Sequence, residues 1–192
     1  MNTDQIEQSI EVHAGPSGRA MAQEMESDLV EGFQQHLNLE RLACSFYLSM
    51  ACWSSEHELK GFCTFFTEES RAEQQHSSQF ADYMIARGQK VDLHQLDSPR
   101  QSWSSIEEII AASFQLEADL TSSILQIYSL AEQYNDLRST VFLDENIENQ
   151  IKSENEFAYL LGRVKFCQNQ PSALLLIDNE LTNKQHSPGS LI

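Results

Sequence analysis

Five side chains in this sequence have the types and the spacing to hold a pair of metal ions: Glu40, Glu73, His76, Glu117 and Gln150. Each interrupts a stripe of apolar residues that otherwise reads as the buried face of a helix. A carboxylate is almost never buried without a partner. One left uncompensated in an interior costs on the order of 3–5 kcal/mol. If the stripes pack against one another at one level, the acids therefore call for a cation. Carboxylates are hard oxygen donors that can bridge two metals, and imidazole suits iron. Glu73 and His76, three positions apart, lie on one helix face and can reach one ion together. Glu40 and His76 would hold the first metal, Glu73 would bridge, and Glu117 would hold the second. Gln150 would hydrogen-bond a water or oxygen species beside them.

The elements that must position these groups follow from the periodicity. One stripe runs Leu29, Phe33, Leu37, Glu40, Cys44, Tyr47, Ala51, and a second runs Leu59, Phe62, Phe66, Glu69, Glu73, His76, Phe80, Tyr83. The second helix should stop near Arg87-Gly88, because glycine suits the residue after a helix end. Residues 88–104 break the period and are long enough to cross the length of a bundle. A third stripe runs Ile106, Ile110, Ser113, Glu117, Leu120, Ile124, Ile127, Ala131, with Ser104 or Ser105 as its cap. The fourth runs Leu143, Ile147, Gln150, Glu154, Phe157, Leu161, Val164. After Gln170-Pro171, the apolar run from Ala173 to Leu181 is too short for another full helix of the bundle and fits a short fifth one.

Spacing puts the polar groups at one height. Glu40 and Glu73 are 33 positions apart, and so are Glu117 and Gln150. In two antiparallel hairpins, equal arms of about 16 residues return to the same level, roughly 24 Å from each turn. The turns then fall in Ser54–His57 and Gln133–Asp136, both polar breaks. The frame also repeats: Glu40 … Glu73-x-x-His76 is followed by Glu117 … Gln150-x-x-Ser153. Bundles with one Glu on two helices and Glu-x-x-His on the other two hold di-iron or di-manganese pairs. Here the first half of that design is intact and the second is depleted.

Composition agrees and narrows the classes. The chain has 192 residues, enough for one domain with a sizeable core, and only 7 Gly and 4 Pro, which favours long helices. A formal net charge of −17 repels nucleic acid and attracts cations. Cys44, Cys52, Cys63 and Cys167 form no CxxC pair; three of them lie within apolar helical segments and read as buried, reduced thiols. The polar, acidic start lacks the apolar segment of a secretory signal, and no run approaches the ~18 apolar residues that span a bilayer. These observations lead us to expect a cytoplasmic protein with no nucleic-acid or membrane partner. Residues 1–25 read as a mobile extension with a possible helical start near Met21, residues 26–182 as the di-iron domain, and residues 183–192 as a loose tail.

At Asn38-Leu39-Glu40, Ala72-Glu73-Gln74-Gln75-His76, Leu116-Glu117-Ala118-Asp119 and Glu148-Asn149-Gln150, the sequence resembles the non-haem ferritins of bacteria and cyanobacteria. The resemblance spans about Leu29 to Leu181. It implies an all-α, ferritin-like four-helix bundle with a long crossover between helices 2 and 3 and a short fifth helix. It also implies a ferroxidase centre of two irons per subunit, without haem, at Glu40, Glu73, His76, Glu117 and Gln150. Tyr47 matches the tyrosine beside that centre that is implicated in electron donation. By the same resemblance the partners are Fe(II), dioxygen or peroxide, and copies of the chain itself in a homo-oligomeric shell of 24 subunits. Two positions depart from the pattern. Ala72 stands where many members of the family carry a carboxylate and Ser153 where some bacterial members do, which puts the usual accessory third iron site in doubt. Glu69, Asp144 and Glu148 remain candidates for handling iron in transit, and Glu154 for supporting the centre from beside it. The expected function is iron storage with ferroxidase activity. The alternative is a di-iron carboxylate oxidase that acts on an organic substrate without forming a cage.

Overall fold

The computed structural model describes residues 13–168 and 170–186. Five helices follow in order: α1 (Ser27–Glu56), α2 (Lys60–Ala86), α3 (Ile106–Gln133), α4 (Leu137–Phe166) and α5 (Pro171–Thr182). Local chemistry sets their ends. The Ser105 hydroxyl accepts from the Glu108 amide and caps α3, while Glu107 and Glu108 lie against the positive end of its dipole. Asp136 caps α4 by accepting from the Ser139 amide at 3.2 Å. α2 stops at Arg87 because Gly88 takes a left-handed φ of 77°, open to glycine without strain.

The four long helices form two antiparallel hairpins. Phe33 of α1 packs on Phe80 of α2, and Phe80 and Tyr83 pack on Phe142 of α4. His36 meets Ser123 and Tyr47 meets Glu117, so α1 also runs antiparallel to α3. The crossover from Gly88 to Ser105 climbs along α1. The Asp92 amide donates to Gln34 (2.8 Å), the His94 amide to Asn38 (3.2 Å), and the Ser49 hydroxyl donates to the Arg100 carbonyl (2.6 Å). α5 packs across the start of α2. Its Asp178 accepts from the Phe62 amide at 2.9 Å, and a Cβ on Gly61 would lie 1.7 Å from the Asp178 carbonyl oxygen, so only glycine allows this approach.

The core is divided. One apolar cluster includes Leu29, Phe33, Leu37, Phe80, Met84, Ile124, Ile127 and Leu143. The other includes Tyr47, Met50, Phe62, Phe66, Ile109, Ile110, Phe157 and Val164. Each fully buried side chain of this size contributes about 1.5–3 kcal/mol. Between the two clusters lies a polar layer.

A second buried polar cluster ties the open end of the α1/α2 hairpin to the α3/α4 turn. Arg87 forms a bidentate pair with Asp136 (3.0 and 2.7 Å) and also donates to the Tyr83 hydroxyl (2.6 Å). Burial pushes the Asp136 carboxyl up, but hydrogen bonds from Arg87 and the Ser139 amide outweigh it and hold the group below its ordinary value.

Several details differ from the sequence reading. The first helix starts at Ser27, not near Met21. Residues 13–25, expected within a mobile extension, include a turn docked on the end of α2. Met21 donates its amide to His13, and Ser17 donates both its amide and its hydroxyl to the Gly88 carbonyl (3.1 and 2.8 Å). Backbone pairing of this kind leaves no apolar period to read. Residues 1–12 and 187–192, which carry much of the expected extension and tail, lie outside the described residues. In α4 the buried position is Leu160, beside a half-buried Leu161. Cys44, Cys63 and Cys167 are half-buried and Cys52 is exposed, rather than sunk in the core. None of the described helices is long and apolar enough to cross a membrane.

Candidate metal centre

The polar layer draws one or more groups from each long helix: Glu40 from α1, Glu73 and His76 from α2, Glu117 from α3 and Gln150 from α4. Glu40, Glu73, Glu117 and Gln150 are 3, 2, 1 and 8% exposed, so the carboxylates are screened from water. His76 remains 27% exposed and forms the open edge of the layer.

One ligand atom from each of Glu40, Glu73 and His76 falls within 4.8 Å of the others. His76 Nδ1 lies 2.9 Å from Oε2 of Glu73. Glu117 does not share that span. Gln150 Nε2 donates to Glu117 Oε2 at 2.7 Å and to its carbonyl at 3.1 Å, and the Tyr47 hydroxyl donates to Glu117 Oε1. The sequence-derived set thus meets in one layer, but as a compact trio and a separately tethered fourth carboxylate.

The electrostatics are those of a site short of positive charge. Burial pushes Glu73 up to about 8; its hydrogen bond with His76 opposes this and the charge of Glu40 adds to it. Burial, followed by the charge of Glu73, pushes Glu117 up to about 7 against the hydrogen bonds of Tyr47 and Gln150. Burial also raises Glu40. His76 rises to about 9, first through its hydrogen bond with Glu73, with burial opposing and the nearby carboxylates helping. Without a metal, burial favours the protonated form of all three carboxyls. The Oε2 atom of Glu40 is fully buried and finds no donor, and the Glu40 carboxyl lies against that of Glu73, with which it can pair only by sharing a proton; buried oxygens in that condition call for an ion or a water. Carboxylates with one imidazole suit iron or manganese. The sulfur of Cys44, one turn from Glu40, instead faces the Ser70 hydroxyl at 3.5 Å.

Tyr47 is fully buried, stacked against Phe157 and Phe66 with ring centres 5.6 and 6.2 Å away. Burial, then the charge of Glu117, raises it well above the usual phenol range, so it stays protonated. The remaining candidates divide. Glu69, one turn from Glu73, is pushed up to about 8 by burial and then by the charges of Glu156 and Glu73. Glu154 accepts from the Thr121 hydroxyl. Asp144 and Glu148 are exposed on α4.

His36 was missed in the sequence. It is 1% exposed, with its ring 4.5 Å from that of Phe80 and its Nδ1 3.0 Å from the Ser123 hydroxyl. Burial lowers it to about 3, so the imidazole is neutral. The available signal was its place one turn before Glu40 on the apolar face; the stripe had been drawn through Leu37.

Comparison with known proteins places these features in a wider set. The ferritin-like domain family matches residues 30–167. Over 159 residues the chain is 24% identical to a probable bacterial non-heme ferritin-like protein of Haemophilus influenzae, covering 83% of this chain and 96% of that one. It is likewise 24% identical over 157 residues to a bacterial non-heme ferritin of Staphylococcus aureus, covering 82% and 95%. Among solved structures, an open-pore ferritin from Archaeoglobus fulgidus superposes with a TM-score of 0.81 at 24% identity, covering 83% of this chain and 98% of that chain.

Proposed function

Because this chain belongs to the ferritin-like domain family, we propose that it stores iron and has ferroxidase activity, oxidising Fe(II) at a two-iron centre within each subunit. The observation that carries this reading is the polar layer itself. It holds three carboxyls whose pKa burial raises, one imidazole at the open edge, and an unpartnered oxygen on Glu40.

In this reading Fe(II) is the substrate. It arrives past His76, the one group of the layer open to water. Glu40 and His76 bind the first iron, Glu73 bridges, and Glu117 binds the second. Binding displaces the protons held by Glu73 and Glu117, so occupancy rises with pH. Two Fe(II) supply two electrons, which dioxygen or peroxide accepts. Gln150, already donating to Glu117, is placed to hydrogen-bond the oxidant or a water, and Tyr47 stands on the other oxygen of Glu117. Ser153 offers no carboxylate to the second iron. That ion is accordingly held more weakly and leaves first, as Fe(III), toward a mineral store.

Storage requires a cavity enclosed by many copies. Leu137, Val141, Ile151 and Phe166 of α4 are 61–90% exposed in the single chain, as expected of faces covered in a shell. The family resemblance suggests 24 subunits.

Stopped-flow oxidation of Fe(II) in air tests the activity. Rapid oxidation in the unmodified protein, lost in Glu73→Ala and His76→Ala, is the expected result; equal fast rates in both variants would sink the assignment. Anaerobic calorimetry should give two Fe(II) per subunit, one tighter than the other. Particle mass separates storage from the organic-substrate oxidase: hundreds of kilodaltons favours the shell, and a monomer or dimer favours the oxidase.

A further inference from the structure

His36 is a buried polar group that the metal ligands do not account for. It lies one helical turn from Glu40, with Nε2 3.0 Å from Glu40 Oε1, yet the ring N–H direction misses the carboxylate. Nε2 of His36 and Oε2 of Glu40 are therefore both fully buried and both without a hydrogen-bond partner. Leaving a buried donor or acceptor unpaired is costly. An unpartnered ring nitrogen 3.0 Å from Oε1 of a carboxylate whose other oxygen is also unpartnered points to a contact that is made in another state of the site.

A neutral imidazole carries one N–H, so the tautomer decides what His36 can do. Ser122 and Ser129 donate their hydroxyls to carbonyls four residues back along α3. Ser123 makes no such bond; the contact its hydroxyl makes is with Nδ1 of His36. Its proton is free to go to Nδ1, which leaves the ring hydrogen on Nε2, the nitrogen nearer Glu40. The Phe80 ring packs against the imidazole and limits its rotation.

We propose that His36 is a positioning residue for the metal centre: when a metal draws Glu40 into its coordination shell, Nε2–H of His36 donates to the carboxylate oxygen left off the metal, and Ser123 selects the tautomer that allows it. This rests on the iron reading above. A hydrogen bond of this sort fixes the orientation and binding mode of a ligating carboxylate. It also links the first metal position to α3, the helix that supplies Glu117 to the second.

The test uses the full chain and Co(II), a redox-stable stand-in for Fe(II) whose visible absorption reports ligand geometry. Anaerobic titration of His36→Leu, which keeps the bulk and loses the donor, should weaken the tighter Co(II) site about 10–100-fold and shift its absorption band. His36→Gln, which restores an N–H donor, should recover most of the affinity and the wild-type band. Ser123→Ala leaves His36 in place and should give a smaller loss in the same direction. Wild-type affinity and spectrum in Ser123→Ala overturns the proposal even where His36→Leu fails to fold. So does an equal loss in His36→Leu and His36→Gln, which would mean that only packing matters. Glu73→Ala separates the two levels. If the unmodified protein binds Co(II) no better than Glu73→Ala, the metal centre and the inference fall together. If Glu73→Ala abolishes binding while His36→Leu and Ser123→Ala match the unmodified protein, only His36 is overturned.

Discussion

Two sets of charged side chains are buried in this bundle, and they are balanced in opposite ways. At the end of the bundle Arg87 meets Asp136 in a bidentate pair, with Tyr83 and Ser139 filling out the hydrogen bonds. At its middle Glu40, Glu73 and Glu117 face one partly exposed imidazole. The first cluster balances its charge within the protein, one guanidinium against one carboxylate, although Nε of Arg87 finds no hydrogen-bond partner. The second sets three carboxylates against the one imidazole of His76. Burial acts on both, but in the first a guanidinium outweighs it, and Asp136 stays below its ordinary value. In the second nothing does, and Glu73 and Glu117 rise. Burial of charge is therefore not by itself a functional signal; burial without internal compensation is.

Separating the clusters by mutation gives the largest expected effect at the middle layer. Glu73→Ala should slow Fe(II) oxidation a hundredfold or more, about 2.7 kcal/mol of barrier, while a urea titration of the metal-free protein shows no loss of stability. The end cluster should answer the other way. Asp136→Ala leaves Arg87 buried and unpaired, and also removes the cap of α4. We expect a loss of about 2 kcal/mol, below the ~3–5 of a deeply interior pair because this one lies near the surface. Iron oxidation by the folded fraction should be unchanged. A fall in oxidation matching that of Glu73→Ala would erase the distinction.

The pH dependence sharpens it further. Glu73 and Glu117 have folded values raised above the ordinary 4.5 to about 8 and about 7. The folded metal-free chain therefore holds protons that the unfolded chain has released. That stability is present in full below about pH 4.5 and fades as pH rises through 7 to 8. Asp136 is lowered, so its contribution is present above the ordinary value of 3.8 and is lost as pH falls through its folded value. Urea midpoints of the metal-free protein should accordingly decline from about pH 5 to 8. Glu117→Gln should flatten that decline and raise stability at pH 8 by about 1 kcal/mol, the size of one lost burial penalty. The smallest effect should come from Arg87→Lys, which keeps the charge and loses the fork, at about 1 kcal/mol or less in the same urea assay.

Much of this was legible before the structure. The 33-residue spacings place Glu40, Glu73, Glu117 and Gln150 in one layer, and the turns at His57–Leu59 and Tyr134–Asp136 lie within two or three positions of those the spacing implied. The stop at Gly88 and the cap at Ser105 were readable because both are local backbone chemistry. Other features left no local trace. The turn at residues 14–21 docks through backbone atoms on Gly88, about seventy positions away, and Arg87 finds Asp136 across 49 positions. His36 lay in plain view, yet a single histidine beside a leucine on a helix face does not announce that both turn inward.

The sequence by itself determined which helices form, about how long they are and at what height each polar group of the layer sits. Helix period, caps and arm length act over a few residues, and heights simply add along the chain. Only the tertiary structure decided which atoms meet within the layer: that Glu40, Glu73 and His76 close into a trio while Glu117 is held apart by Tyr47 and Gln150, and that His36 turns toward Glu40 with Ser123 behind it. Those contacts depend on the rotation of each helix about its axis and on side-chain rotamers, which are fixed when Phe33, Phe80 and Phe142 interlock on one side of the layer and Tyr47, Phe66 and Phe157 on the other.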